Sequence, residues 1–336
     1  MLEPADLDEI RKVFNFYDVT AEGNADVLYG VPLAEANLLY GALYTYFSPK
    51  KKEAVLQRRH GEVALVVRET KADNIWINVA LAVATLISTT LVGALLSGVD
   101  IFRDPQFLYL GLPFALAIML VLGSHEFGHY LVSRKNGVDA TLPYFIPFPI
   151  PPIGTMGAVI RQKGPIPSRK ALFDVGISGP LVGLTVAVIV TVIGLMLPAP
   201  AITAQPGDLQ IQTPLLFNLI ADIVRPGISL QSINPIAFAG WVGMLVTVLN
   251  LLPVGQLDGG HVARAVLGRW SDKLSKVLPL LIIFFGFFST YFMGMSGEMW
   301  VIWGFVTYIM SIGQHPAPLD EMNPDRMALL EYLKTY

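Results

Sequence analysis

The chain has 336 residues, of which 53% are hydrophobic and only 15% charged. A soluble domain carries about 25% charged residues, so this composition describes a polytopic membrane protein with a modest soluble part. A formal net charge of −3 gives no case for nucleic acid, and no basic, aromatic-interleaved patch is present. With no cysteine, disulfides, iron–sulfur clusters, thiol nucleophiles and thiolate-held zinc are excluded. Any metal must be held by His, Asp or Glu, and there are only five histidines.

In chain order, residues 1–73 read as a small soluble α+β domain. Leu7 to Phe16 has helical periodicity, Val27 to Val31 and Val63 to Val67 alternate as strands, and Leu33 to Phe47 reads as a second helix. Met1 to Asn15 is acidic and lacks an apolar core, so no signal peptide is expected. His60 lies in the charged run Gln57-Arg58-Arg59-His60 and reads as a solvated surface residue.

Residues 74–313 change character. A bilayer core needs about 20 mostly apolar residues per helix. About six transmembrane helices are expected, over Ile75–Leu96, Phe107–Val132, Ala171–Leu197, Pro235–Leu252, Leu278–Met293 and Met299–Ile312. The last two are short and form a hairpin in this reading. Lys and Arg favour the cytoplasmic side. With the N-terminus inside, the outer segments hold only Arg103 and Arg225, while Arg134, Lys135, Arg161, Lys163, Arg169, Lys170, Arg264, Arg269, Lys273 and Lys276 fall inside. Both termini, including the 314–336 tail, are then cytoplasmic.

The second apolar segment contains Ser124-His125-Glu126-Phe127-Gly128-His129. Two histidines four apart share one helix face, and their ring nitrogens can hold one Zn²⁺ at about 2.0–2.1 Å. Glu126 is placed to act as general base toward a water on that ion and then as proton donor to a leaving amine. An exposed helix face with ordinary charges would explain such a motif in a soluble protein. In an apolar span each charged group costs on the order of 2.5–3.5 kcal/mol, which favours a compensating ion.

A zinc hydrolase takes three protein ligands and leaves one place for water. His315 in His315-Pro316-Ala317-Pro318 reads as interfacial. The better candidate is Asp258, in the run from Asn250-Leu251-Leu252-Pro253 to Leu257-Asp258-Gly259-Gly260-His261. Proline and glycines break the helix there, and irregular backbone at membrane depth needs protein or a wet cavity around it. The plainer alternative is that Asp258 caps a helix over Gly260 to Leu267. His261 is near enough to support a metal site, or is simply interfacial. Asp174 reads as a cap or a partner of Arg169 or Lys170.

These residues resemble the site-2 protease family of intramembrane zinc metalloproteases. The resemblance is carried by His125-Glu126-Phe127-Gly128-His129, by Asn250-Leu251-Leu252-Pro253 and by Leu257-Asp258-Gly259, and it covers roughly Ile75 to Ile312. It implies one Zn²⁺ per chain on His125, His129 and Asp258, water activation by Glu126, and Asn250 lining the active site and polarising the scissile carbonyl. It also implies a membrane-protein substrate in the bilayer. Ile177-Ser178-Gly179-Pro180-Leu181-Val182-Gly183 looks like the family's Gly-Pro signature, and its small residues permit close helix approach. The connection Pro198 to Asn234 leaves no room for a PDZ-like module. The N-terminal domain and Leu142–Arg161 look more like the plant chloroplast subgroup of the EGY type. The lack of an obvious transit peptide suggests a prokaryotic or archaeal cell membrane.

Leu142 to Ile153 is apolar, aromatic and rich in proline, so it cannot be an α-helix. Met156-Gly157-Ala158-Val159-Ile160 reads as a strand. A hairpin or re-entrant loop follows, whose edge clamps substrate by strand addition, with Phe145, Pro147, Phe148 and Gly157 as substrate-binding candidates; a purely anchoring loop is the alternative. A metal-ion transporter and a non-catalytic membrane binding platform compete with the protease reading. The absence of a repeat or second acidic cluster tells against the first, and the intact motif against the second. Oligomeric state is not legible.

Overall fold

The computed structural model describes residues 2–34, 36–59, 62–70, 73–163, 166, 168–198, 213–227, 233–268, 270–294 and 297–312. His60, Arg269, His315 and the 314–336 tail lie outside the described residues. The N-terminal part is built in the order α1 (Pro4–Arg11), β1 (Phe14–Glu22), β2 (Ala25–Pro32), α2 (Ala36–Phe47), β3 (Lys52–Arg59) and β4 (Glu62–Glu69). The four strands form one antiparallel sheet of order β1-β2-β4-β3. Ile10, Phe14, Leu28, Leu39, Leu43, Phe47 and Leu65 close a core between the helices and one sheet face.

The α+β expectation is met, with two corrections. The helix expected over Leu7 to Phe16 stops at Arg11, and Phe14 instead opens β1. Pairing with β2 (Phe14 opposite Pro32, Phe16 opposite Gly30) overrides the local periodicity. The run Lys52–Arg59, to which the sequence alone assigns no element, is β3 at the edge of the sheet. Charged side chains on such an edge deter pairing with other chains.

The apolar part follows as α3 (Ile75–Leu96), a 3₁₀ segment (Pro105–Gly111), α4 (Leu112–Lys135), four short strands, α5 (Arg169–Met196), α6 (Leu215–Val224), α7 (Pro235–Asn250), α8 (Asp258–Leu267), α9 (Trp270–Phe292) and α10 (Glu298–Met310). Four stretches are long and apolar enough to cross a bilayer: Ile75–Leu96, Pro105–Lys135, Arg169–Met196 and Trp270–Phe292. α7 and α10, with 16 and 13 residues, are shorter than the ~20 residues a full crossing takes. The mostly apolar helix α6, ten residues long, sits in a connection read from sequence only as short, and its Phe217 is fully buried. α4, α5 and α7 pack around Phe114, Ile118, Val121, Ala187, Phe238 and Val242.

Between α4 and α5 the chain makes two nested ribbons. β5 (Asp139–Ala140) pairs with β8 (Gln162–Lys163), and β6 (Tyr144–Pro147) pairs antiparallel with β7 (Thr155–Val159). The N-terminal domain grips the outer ribbon. Asp139 accepts from Tyr44 at 3.2 Å and from Ser48 at 3.1 Å, and Lys163, directly across from Asp139, donates to Asp73 at 2.7 Å.

Candidate metal centre

α4 carries His125 and His129 on its buried face, one turn apart. α5 crosses that face closely because its own residues are small there: a Cβ at Gly128 of α4 would come to 2.8 Å from the Ser178 carbonyl. Gly179 lies against the His129 ring, and Gly183 against the His125 ring, where a Cβ would come to 2.9 Å from Nδ1. The close helix approach read from sequence therefore has a second consequence, room for both imidazoles. The four-residue spacing of Gly179 and Gly183 matching that of the histidines is the signal that could have disclosed it.

Asp258 opens α8, after a loop that turns back from the end of α7. Leu257, not Asp258, occupies the N-cap position. The Asp258 carboxylate instead meets both histidines, Oδ2 at 3.1 Å from His125 Nε2 and Oδ1 at 3.2 Å from His129 Nε2. The two Nε2 atoms are 3.3 Å apart. The loop is held by close backbone contacts: Gly259 packs on the Leu251 carbonyl, so tightly that a Cβ there would overlap it. Gly255 takes φ +46 against Met310, and its N–H donates to Ser275 Oγ at 2.6 Å.

A tetrahedral ion with bonds of about 2.0–2.1 Å keeps its ligand atoms roughly 3.3 Å apart. The two imidazole nitrogens stand at that spacing, each faces one oxygen of the Asp258 carboxylate, and one ligand atom from each of the three residues lies within 4.8 Å of the others, so the donor set fits one divalent cation and leaves a position open. Among the described residues, this is the one group of three or more His, Asp and Glu side chains so arranged. His129 Nδ1 lies 2.8 Å from the Val175 carbonyl, which fixes the tautomer with its proton on Nδ1 and frees Nε2 as a ligand.

Glu126 and Asn250 share the site. Asn250, the last residue of α7, brings Nδ2 to 3.3 Å from His125 Nε2. Glu126 accepts a hydrogen bond at 3.0 Å from the N–H of Ile160, just past β7. Both line a cavity of about 760 Å³ together with the triad and His261. β7 forms one wall through Thr155 to Val159, and at Met156 and Val159 (69% and 49% exposed) the cavity reaches the protein surface. Gly157 is on that wall. Phe145, Pro147 and Phe148 are not among the lining residues; Phe145 packs toward α4, 3.2 Å from where a Cβ on Gly123 would stand. Asp174 pairs with Lys170 at 3.3 Å.

The family model described as Peptidase family M50 matches residues 113–293. Two plant relatives, both from Arabidopsis thaliana, are similar. One is named "Probable zinc metalloprotease EGY2, chloroplastic" and is 34% identical over half of this chain (50%) but only 31% of its own length. The other, "Probable zinc metallopeptidase EGY3, chloroplastic", is 25% identical over 96% of this chain and 63% of its own. The matches thus cover less than two thirds of either relative. Among solved structures, the "Site-2 Protease from Methanocaldococcus jannaschii" aligns over 72% of this chain and 90% of that one, at 17% identity and a TM-score of 0.37.

Proposed function

The chain belongs to Peptidase family M50, the site-2 protease family, and from that premise we propose that it is a zinc metallopeptidase cutting peptide bonds of membrane-protein substrates at the bilayer. The observation that carries this reading is the meeting of His125, His129 and Asp258, one ligand atom from each within 4.8 Å of the others, beside Glu126 in a cavity that reaches the surface. His125, His129 and Asp258 hold Zn²⁺, one per chain. The ion supplies Lewis acidity, which polarises a carbonyl and lets a water lose its proton near neutral pH.

The chain's own groups do the rest. Glu126 takes the proton of the attacking water and passes it to the leaving amine. Asn250 Nδ2–H, already turned toward the metal ligands, donates to the scissile carbonyl oxygen as charge builds there. The β6–β7 hairpin receives the substrate as an added strand along β7, which presents extended backbone to the cavity; Gly157 lies on that path, and Phe145, Pro147 and Phe148 shape the hairpin behind it. A transporter reading is disfavoured because Glu126 has no task in it and no second acidic cluster occurs among the described residues.

The four long apolar helices support a reading in which α7 and α10 are shorter crossings, six spans in all, with both termini cytoplasmic, residues 1–73 as a cytoplasmic domain and 74–313 as the protease domain. The plant relatives are named chloroplastic and lend no support to a prokaryotic or archaeal membrane. The test is detergent-purified protein incubated with a transmembrane reporter. Glu126→Gln should abolish cleavage and keep bound zinc; a variant that still cleaves would sink the mechanism.

A further inference from the structure

α3 crosses the apolar part beside the β6–β7 hairpin, and its two faces differ. Val79, Val83 and Ile87 point outward and are exposed, whereas Asn78, Thr85, Ser88, Thr89 and Val92 are buried in one stripe. Spacings of seven, three and four residues keep this stripe on one side of a helix. Asn78 is buried alone among residues 73–80, only 8% accessible. A polar group in such a place is costly unless it is hydrogen-bonded.

Its bonds go to the hairpin. Asn78 Nδ2 gives its hydrogens to two consecutive carbonyls, Leu142 O at 3.0 Å and Pro143 O at 2.9 Å, immediately before β6. Ser88 Oγ donates to Gly154 O at 2.7 Å, the shorter of its two carbonyl contacts, immediately before β7. Gly154 has φ +83, and a Cβ there would stand 2.9 Å from Thr89 Cα. The connection between β6 and β7 therefore lies directly on α3. Both ends of the hairpin's first arm and turn are fixed to one helix that itself contributes nothing to the cavity wall.

We infer that Asn78 and Ser88 are positioning residues, which hold the substrate-receiving hairpin at its working distance from Glu126 and the metal ligands. This inference rests on the reading of β6–β7 as the substrate-binding element. A strand held in place binds an added strand without first giving up its own conformational freedom, so loosening it weakens substrate binding more than the chemical step. Thr85 supplies an internal control. It lies in the same stripe, fully buried, and its hydroxyl has no hydrogen-bond partner, so no hydrogen bond to the hairpin is lost when that hydroxyl is removed.

The experiment compares Asn78→Leu, Ser88→Ala and Thr85→Val in the full-length chain in detergent, by reporter cleavage, zinc content and hydrogen exchange of residues 144–159. Asn78→Leu and Ser88→Ala should raise KM by about tenfold, change kcat by less than about twofold, retain zinc, and speed exchange across the hairpin. Thr85→Val should match the parent in all of these. Ser88→Ala removes a single hydroxyl and decides the matter if Asn78→Leu does not fold. Unchanged KM and exchange in Ser88→Ala would overturn the inference, as would an equal shift in Thr85→Val or a fall in kcat and zinc with KM unmoved. The exchange comparison needs no turnover. A parent protein that cleaves nothing therefore sinks the peptidase reading while the anchoring of the hairpin is still measured.

Discussion

The Ile160 amide donates to Glu126 Oε2 at 3.0 Å, so the carboxylate beside the metal triad is tied to the end of the strand that walls the cavity. In the proposed mechanism the same side chain has two separable jobs, proton transfer and, through the Ile160 amide, holding the end of β7. Glu126→Gln keeps an acceptor oxygen for Ile160 but loses the base, and cleavage should fall by at least the 10²–10⁴ expected of a general base. Glu126→Ala removes both. With uncleaved reporter as ligand, Glu126→Gln should bind as tightly as the parent protein and Glu126→Ala several-fold more weakly. Equal affinities would leave the strand contact without a role in binding.

The glycines of α5 give a second prediction. A Cβ at Gly183 would stand 2.9 Å from His125 Nδ1, and one at Gly179 would overlap the His129 ring at its Nε2 edge. Alanine at either position must displace a ligand ring in a close-packed interior, where overpacking costs roughly 1–3 kcal/mol. Gly179→Ala, aimed at His129 Nε2, the nitrogen proposed to hold the metal, should be the worse, lowering zinc affinity by about 10–100-fold. Zinc titration with a competing chelator reads the loss. A Gly179→Ala protein that holds zinc normally would mean that α4 and α5 separate more easily than their packing implies.

The meeting of His125, His129 and Asp258 was legible in the sequence because its parts obey local rules. His125 and His129 share a face through helical spacing alone, and Asp258 follows a stretch that Pro253 and Gly255 break out of helix before α8 begins. What the sequence left hidden depends on chain crossing. Gly179 and Gly183 read as packing residues, yet they also make room for the ligand rings, which only the α4–α5 crossing discloses. The bond from Ile160 to Glu126 joins residues 34 apart, and no periodicity encodes it. In the N-terminal domain the reverse error occurred. Local periodicity through Phe14 and Phe16 favoured helix, and the non-local ladder to β2 decided for strand.

The N-terminal domain carries its own electrostatic prediction. Asp6 is fully buried and receives Lys50 Nζ at 2.6 Å and Lys52 Nζ at 3.0 Å. Burial alone would push its carboxyl up; bonds from Lys50, the Glu3 amide, Lys52 and Tyr46 outweigh that and hold it well below the usual carboxylate range. A lowered folded value stabilises the domain above the unfolded value of about 3.9, and this contribution is lost progressively as pH falls below it. Asp6→Asn should cost roughly 3 kcal/mol, the low end for a broken buried pair, because both lysines reach water. It should also flatten the loss of stability between about pH 4 and 2. Hydrogen exchange of β4 amides in the full chain measures both, and an acid sensitivity unchanged by Asp6→Asn would assign it to other carboxylates.

Removal of the metal tests the triad as a unit. A ligand that binds only the folded state stabilises it by about 2.7 kcal/mol at a hundred times its dissociation constant. The parent protein should therefore melt at a lower temperature after stripping with a chelator, lose cleavage, and recover both on addition of Zn²⁺. Asp258→Asn keeps the size of the side chain and removes the charge that faces His125 and His129 at 3.1 and 3.2 Å. Its melting temperature should no longer respond to Zn²⁺ at concentrations that saturate the parent. A merely structural role for Asp258 gives a different outcome, since a structural defect would lower the melting temperature of stripped and loaded protein alike. Losing the response to the ion requires that the carboxylate help hold it. A Zn²⁺-dependent rise in Asp258→Asn equal to that of the parent would remove Asp258 from the ligand set and leave the two histidines to find a third partner elsewhere.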